Sequence, residues 1–133
     1  MDLDDGWWVQ NFMQPDKCAA DWAVTGLTYF EASAFAVWAG LRLVHEYEWE
    51  VAANLEVLSG LGEVWEWCSN IFHPYHGFSA CPYREYSVPW FDQQHYVLRG
   101  GSRYTEPEIR RTSFRNYYLA GADYLFSGIR LAE

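Results

Sequence analysis

The chain has 133 residues, the size of one ordinary domain with a single core, and a formal net charge of -9 at pH 7. That charge argues against a nucleic-acid partner, which needs clustered Lys and Arg to displace counterions; Arg110-Arg111 with Arg115 is too short a cluster to reverse it. No apolar run approaches membrane-spanning length, and the start Met1-Asp2-Leu3-Asp4-Asp5 is acidic where a signal peptide is basic, so a cytoplasmic protein without a membrane partner is expected.

Eight Trp, ten Tyr and eight Phe make the chain strongly aromatic. Side chains of this kind carry large burial energies and predict an irregular, well-packed globule rather than disorder. Cys18, Cys68 and Cys81 are an odd number without metal-type spacing, which reads as thiols in a reducing compartment.

In chain order, Gly6 to Phe12 reads as a short strand and Pro15 to Ala23 as a loop. Thr28-x-x-Glu31 is a capping box, and Phe30, Ala34, Val37, Trp38 and Leu41 follow at helical spacing until Gly40 marks the end. Leu41 to Val44 is an extended link to a second helix over 46–58, whose Glu-rich first turn suits the positive end of the helix dipole. Gly60 and Gly62 close that helix. After Trp67 comes a long loop punctuated by Asn70, Pro74, Gly77, Pro82 and Pro89, the kind of segment that is functional or held by its own aromatics. Tyr96 to Arg99 reads as a strand stopped by Gly100-Gly101, and Thr112 to Arg115 and Phe126 to Leu131 as closing strands. Two helices with short strands and no repeat give an α+β domain.

In Leu61-Gly62-Glu63-Val64-Trp65-Glu66-Trp67, an extended backbone places Val64 and Glu66 on one side and Trp65 and Trp67 on the other. Glu66 then either faces solvent or is buried with a partner: an arginine, a set of backbone N–H groups or a metal ion. Of the four histidines, His73 and His76 are three apart, but Pro74 between them and Gly77 after them favour a loop over a helical metal pair.

Several ordered blocks resemble the formylglycine-generating-enzyme-like, or sulfatase-modifying factor, domain. They are Tyr29-Phe30-Glu31-Ala32 with Trp38-Ala39-Gly40-x-Arg42-Leu43, Glu46-x-Glu48-Trp49-Glu50, Gly62-x-Val64-Trp65-Glu66-Trp67, Pro74-Tyr75-x-Gly77-Phe78, Val97-Leu98-Arg99-Gly100-Gly101-Ser102, Arg115-Asn116 and Phe126-x-Gly128-x-Arg130-Leu131. The short spacer between Trp49 and Trp65, Pro74-Tyr75-His76-Gly77-Phe78, Phe91-Asp92 before His95, and Arg115-Asn116 followed by two aromatics resemble the C-terminal domain of ergothioneine-synthase-type sulfoxide synthases and their selenoneine-forming relatives.

The resemblance implies a C-type-lectin-like α+β fold, present in part, as one incomplete domain over 1–133 with two helices, short irregular antiparallel strands and long loops. The copper cysteines of the formylglycine-generating enzymes have Thr105 and Arg110 in their places. It implies Fe(II) in a parent enzyme whose iron-holding helical bundle lies outside this chain, so that none of the iron ligands is here. It implies a structural calcium at Gly62, Val64 and Glu66, against which stands a salt bridge from Glu66 to Arg99 or Arg42. It implies substrate contacts at Arg115, Asn116, Tyr117 and Tyr118, unless Arg115 and Asn116 only satisfy buried backbone. It implies a loop tyrosine that assists oxygen chemistry, for which Tyr83 and Tyr86 are the candidates. Where the family's second helix starts Leu-Pro-Thr-Glu, this chain has Leu43-Val44-His45-Glu46, a loss of about 1 kcal/mol unless His45 takes over the cap.

Two functions fit. One is the C-terminal substrate-binding part of an iron- and oxygen-dependent sulfoxide synthase joining a thiol or selenium donor to hercynine, inactive by itself. The other is a non-catalytic lectin-like module binding a ligand or protein through the aromatic loop from Phe72 to Phe91. Apolar helix faces left uncovered by a missing half-domain imply self-association or a partner chain.

Overall fold

The computed structural model describes residues 6, 8–10, 15–80 and 84–133, and of residues 9, 10, 15 and 16 the backbone alone. The chain opens with an antiparallel hairpin of β1 (Trp8–Gln10) and β2 (Pro15–Lys17). Residues 15–17, read above as loop, are therefore strand, because pairing with β1 overrides the weak local preference of Pro-Asp-Lys.

Helix α1 (Tyr29–Trp38) starts where the capping box places it: Thr28 Oγ1 accepts from the Glu31 N–H at 3.2 Å, and Glu31 Oε2 accepts from the Thr28 N–H at 2.8 Å. Its packing face is not the aromatic stripe. Ala32 and Ala36 are buried against Leu43, Trp67 and Leu98, while Phe30, Val37 and Trp38 are 64%, 74% and 80% exposed. The small side chains let the helix backbone lie close to the large rings of the sheet, Tyr29 joins them by stacking on Tyr96 at 3.7 Å, and Phe30, Val37 and Trp38 are left outside.

After β3 (Arg42–Leu43), helix α2 spans Glu46–Asn54. His45 takes over its cap: Nδ1 accepts from the Tyr47 N–H at 3.2 Å, and Glu48 reaches back to the His45 N–H at 2.9 Å. Glu48 also binds Arg42 at 2.7 and 2.8 Å, and these hydrogen bonds, Arg42 first and His45 N–H second, pull its carboxyl down to about 2. The helix ends short of 58 because Glu56 adopts φ 57°, a left-handed conformation that breaks the hydrogen-bond ladder.

The remaining strands are β4 (Trp65–Ile71), β5 (His95–Arg99), β6 (Asn116–Leu119), β7 (Ser127–Ile129) and β8 (Leu131–Ala132). Four form one sheet in the order β6-β5-β4-β7, with β7 parallel to β4 and the other pairs antiparallel; β8 pairs with β3. Successive side chains alternate between the two faces. Trp67 and Leu98 meet α1, whereas Cys68 and Val97 meet Trp49 and Ala53 of α2, so each face carries one helix. Parallel pairing of β7 brings Gly128 so close to its neighbours that an added Cβ would lie 2.5 Å from Val24 O and 2.9 Å from Val64 Cγ2. Two expected strands shift: 112–114 forms a turn and β6 starts at Asn116, and the last run divides at Arg130 into β7 and β8, which pair in different sheets.

Candidate functional site

Glu46, the first residue of α2, is wholly buried on the α2 side of the sheet. Arg115 grips it with two bonds, Nε to Oε2 at 2.8 Å and Nη2 to Oε1 at 2.7 Å, and Arg99 Nη2 adds a third at 3.0 Å. The Asn70 amide closes the set, donating to Glu46 Oε1 at 2.9 Å and accepting the Glu46 N–H at 3.0 Å. Burial alone would raise the Glu46 carboxyl, but the Arg115 hydrogen bonds and the charges of Arg115 and Arg99 outweigh it and hold it below the usual range. Arg99 also reaches Glu50 at 2.8 Å and Tyr75 OH at 3.0 Å, and Arg115 donates to His73 O at 2.9 Å while its guanidinium lies over Phe72 and Tyr75, 4.6 and 4.1 Å from their ring centres. One buried carboxylate thus ties together α2, β5, the start of β6 and the loop after β4.

A second buried carboxylate, Glu66 on β4, faces the same side of the sheet. Arg130 binds both of its oxygens at 2.7 and 2.8 Å, and Trp49 Nε1 donates to Oε2 at 2.6 Å. The arginine partner is therefore neither Arg99 nor Arg42, whose guanidinium groups are taken by Glu46 with Glu50 and by Glu48. Nor do Gly62, Val64 and Glu66 fit a calcium ion: a guanidinium already neutralises the carboxylate, and Arg110 lies beside Gly62, its Nη1 3.5 Å from where a Cβ would stand. Among the described residues no three His, Cys, Asp or Glu side chains converge as a metal site, and these residues do not fit an iron centre either. His73 and His76 lie in a loop, with His73 Nδ1 3.0 Å from Pro74 O; Cys68 is a buried thiol that desolvation pushes up.

The four residues from Arg115 to Tyr118 do not share one surface. Alternation along β6 sends Tyr117 to the α2 side, stacked on Phe72 at 4.2 Å between ring centres, and Tyr118 to the α1 side, edge-on to Tyr124 at 6.1 Å. Asn116 spends its Oδ1 on the Tyr117 N–H at 3.0 Å. Around Tyr117 gathers an aromatic wall built by the long loop: Tyr86, whose carbonyl accepts the Tyr117 hydroxyl, Trp90 at 6.1 Å, Phe91 against Phe72 at 4.8 Å, and His95 edge-on at 6.0 Å. Burial raises the Tyr117 hydroxyl above its ordinary value. Tyr86 is thus in the wall, and Tyr83 lies outside the described residues. Trp90 and the pair Asp92 and His95 were not singled out as site residues from sequence, although Asp-x-x-His before a strand is a visible signal.

This is an acidic, aromatic α+β domain with a cluster of aromatic side chains on one sheet face and no convergent metal ligands among the described residues, and it belongs to the family of the sulfatase-modifying factor enzyme 1-like domain, whose model matches residues 6–60 and 54–133. Its relatives include the hercynine oxygenases of Mycobacterium tuberculosis, 34% identical in an alignment of 165 positions, gaps included, that takes in 91% of this chain and 39% of the relative, and of Mycolicibacterium smegmatis, 32% identical in one of the same length, 88% and 39%. Ergothioneine biosynthesis protein 1 of Neurospora crassa is 38% identical over 75 residues, 55% of this chain and 9% of the relative. The chain therefore spans about two fifths of the length of the hercynine oxygenases it matches. The family match falls in two blocks that overlap at 54–60, the start of the segment that leads from the end of α2 to β4.

Proposed function

We propose that this chain is the substrate-facing C-terminal part of a hercynine-using sulfoxide synthase in ergothioneine or selenoneine formation, built on a lectin-like scaffold and acting in the cytoplasm. The observation that carries the reading is the aromatic wall around Tyr117, on the strand that follows Arg115-Asn116. Hercynine bears a trimethylammonium group, and electron-rich ring faces attract such a cation by about 0.5–2 kcal/mol per well-placed ring. Tyr86 in the same wall is the remaining described candidate for the loop tyrosine, Tyr83 the other. Iron, which would supply oxygen activation, is assigned in this reading to ligands outside this chain.

The exposed apolar side chains of α1 support a partner: Phe30, Val37 and Trp38 stand 64%, 74% and 80% exposed, as at an interface. On the other side, Tyr47, Val51, Leu55 and Val57 line an apolar groove of about 480 Å³ on α2, next to the point where the two family blocks meet. The reading assigns both to a partner chain or to self-association. Membrane anchoring finds no support in the described helices, none of which is long and apolar enough to cross a bilayer.

Titration of the isolated chain with hercynine, followed by NMR of the aromatic and indole resonances, tests the assignment. Shifts confined to Tyr86, Trp90 and Tyr117, lost in Tyr117→Ala, are expected, with no oxygen consumption when iron and a thiol are added. Turnover by the isolated chain, or tight binding of a different ligand with none of hercynine, favours the other readings.

A further inference from the structure

His95 begins β5 on the face that carries the aromatic wall, and it is 9% exposed. Its Nδ1 lies 2.9 Å from Asp92 Oδ1, three residues back, and the same oxygen accepts the Gln94 N–H at 2.9 Å. The turn that makes this contact contains Gln93 at φ 63°, a left-handed conformation unfavourable for a residue with a side chain. Strained backbone of this kind persists where the surroundings over-determine it, and here it brings a carboxylate under an imidazole. The His95 hydrogen bond is also the first cause that holds the Asp92 carboxyl below its ordinary range.

The other ring nitrogen is left open. Nε2 has no hydrogen-bond partner among the described residues. Where Asp92 accepts the Nδ1 proton of the neutral ring, Nε2 is the acceptor. The ring itself is fixed edge-on to Trp90 at 5.2 Å and to Tyr117 at 6.0 Å, within the wall.

We propose that His95 Nε2 is a binding group of this wall, accepting a hydrogen bond from a ring N–H of an azole-bearing ligand, and that Asp92 is the positioning residue that fixes its tautomer. The inference rests on the hercynine reading above and adds the element that selects for the ligand's heterocycle: the rings hold the cation and His95 reads the imidazole N–H. A neutral site lacking an acceptor would bind the ammonium end alone and discriminate poorly between betaines, whereas an unpaired buried polar partner penalises a ligand without the N–H.

The test uses the 133-residue chain, nitrogen-15 labelled at histidine, with hercynine, its two ring-N-methyl analogues and glycine betaine as probes. Expected are a protonated Nδ1 and a bare Nε2 in the free protein, and a shift of the Nε2 resonance on adding hercynine that glycine betaine does not cause. At least one ring-methyl analogue should lose ten-fold or more in affinity. His95→Phe, which keeps a flat ring against Trp90 and Tyr117, should lose ten-fold or more in hercynine affinity, and Asp92→Asn should lose part of it while protonating Nε2. Should His95→Phe fail to fold, the Nε2 shift of the wild-type protein decides. If hercynine binds but leaves Nε2 unmoved, or binds His95→Phe as well as wild type, the His95 inference falls and the substrate reading stands. If hercynine does not bind the wild-type chain, both fall.

Discussion

Glu66 and Arg99 stand directly opposite each other across β4 and β5, yet each takes a different partner: Glu66 binds Arg130, and Arg99 binds Glu46 and Glu50. Opposite charges in register are ordinarily the first pair to expect. Here Trp49 intervenes, its indole N–H bonded to Glu66 at 2.6 Å, so the two acid–arginine sets form separate buried clusters on one sheet face.

The first cluster makes stability acid-sensitive. The Glu46 carboxyl lies below its ordinary 4.5 in the folded protein, so its contribution is complete above that value and is lost as pH falls below it. Glu46→Gln leaves Arg99 and Arg115 partly unpaired in the interior and should cost about 3–5 kcal/mol at neutral pH. Thermal melts from pH 7 to pH 3 should show the gap between wild type and variant narrowing below pH 4.5. A gap that stays constant across that range would place the cost in packing rather than in charge.

For the second cluster, Arg130→Met should destabilise by about 3–5 kcal/mol because it strands the Glu66 carboxylate. The double variant Glu66→Leu with Arg130→Met should recover most of the loss. Wild type should melt identically in calcium and in excess chelator, since Arg130 holds the place a cation would take. A chelator-dependent melting temperature would restore calcium at Gly62, Val64 and Glu66.

His45→Ala should cost about 1 kcal/mol through loss of the α2 cap, and His45→Ser should cost little. Urea titrations with equal slopes for the three proteins are the check. An unchanged midpoint in His45→Ala would mean that Glu48 alone, through its bond to the His45 N–H, caps the helix.

The outward side chains of α1 should drive association. Light scattering at rising concentration is expected to show growth beyond the monomer for wild type, and a monomer for the double variant Val37→Glu with Trp38→Glu, which touches nothing buried. A wild-type monomer that binds no hydrophobic dye would instead mark this face as tolerated exposure.

Much of the fold was legible residue by residue. Thr28-x-x-Glu31 placed the start of α1, and Val64 to Trp67 showed which of those side chains share a face, because both signals are local hydrogen bonding and backbone period. Glu56 illustrates the limit: nothing in Asn54-Leu55-Glu56-Val57 announces a left-handed residue, and the helix stops there because the chain must turn into β4. The candidate site was legible in part, since Tyr86 and Tyr117 meet in the wall while Tyr118 turns to the other face.

By itself the sequence determined the acidic, aromatic character, both helix starts, the placing of Glu66 on the face opposite Trp65 and Trp67, and the membership of a family. Those properties are carried by composition, by contacts within four residues and by ordered motifs. The tertiary structure alone decided that Ala32 and Ala36 rather than the stripe of Phe30, Val37 and Trp38 seat α1, that Glu66 closes on Arg130, and that Arg115 reaches a carboxylate 69 residues away. The physical reason is common to all three: a charge or an apolar face is satisfied by whichever group the strand register brings within about 3 Å, and register is set by the whole sheet, not by any one segment.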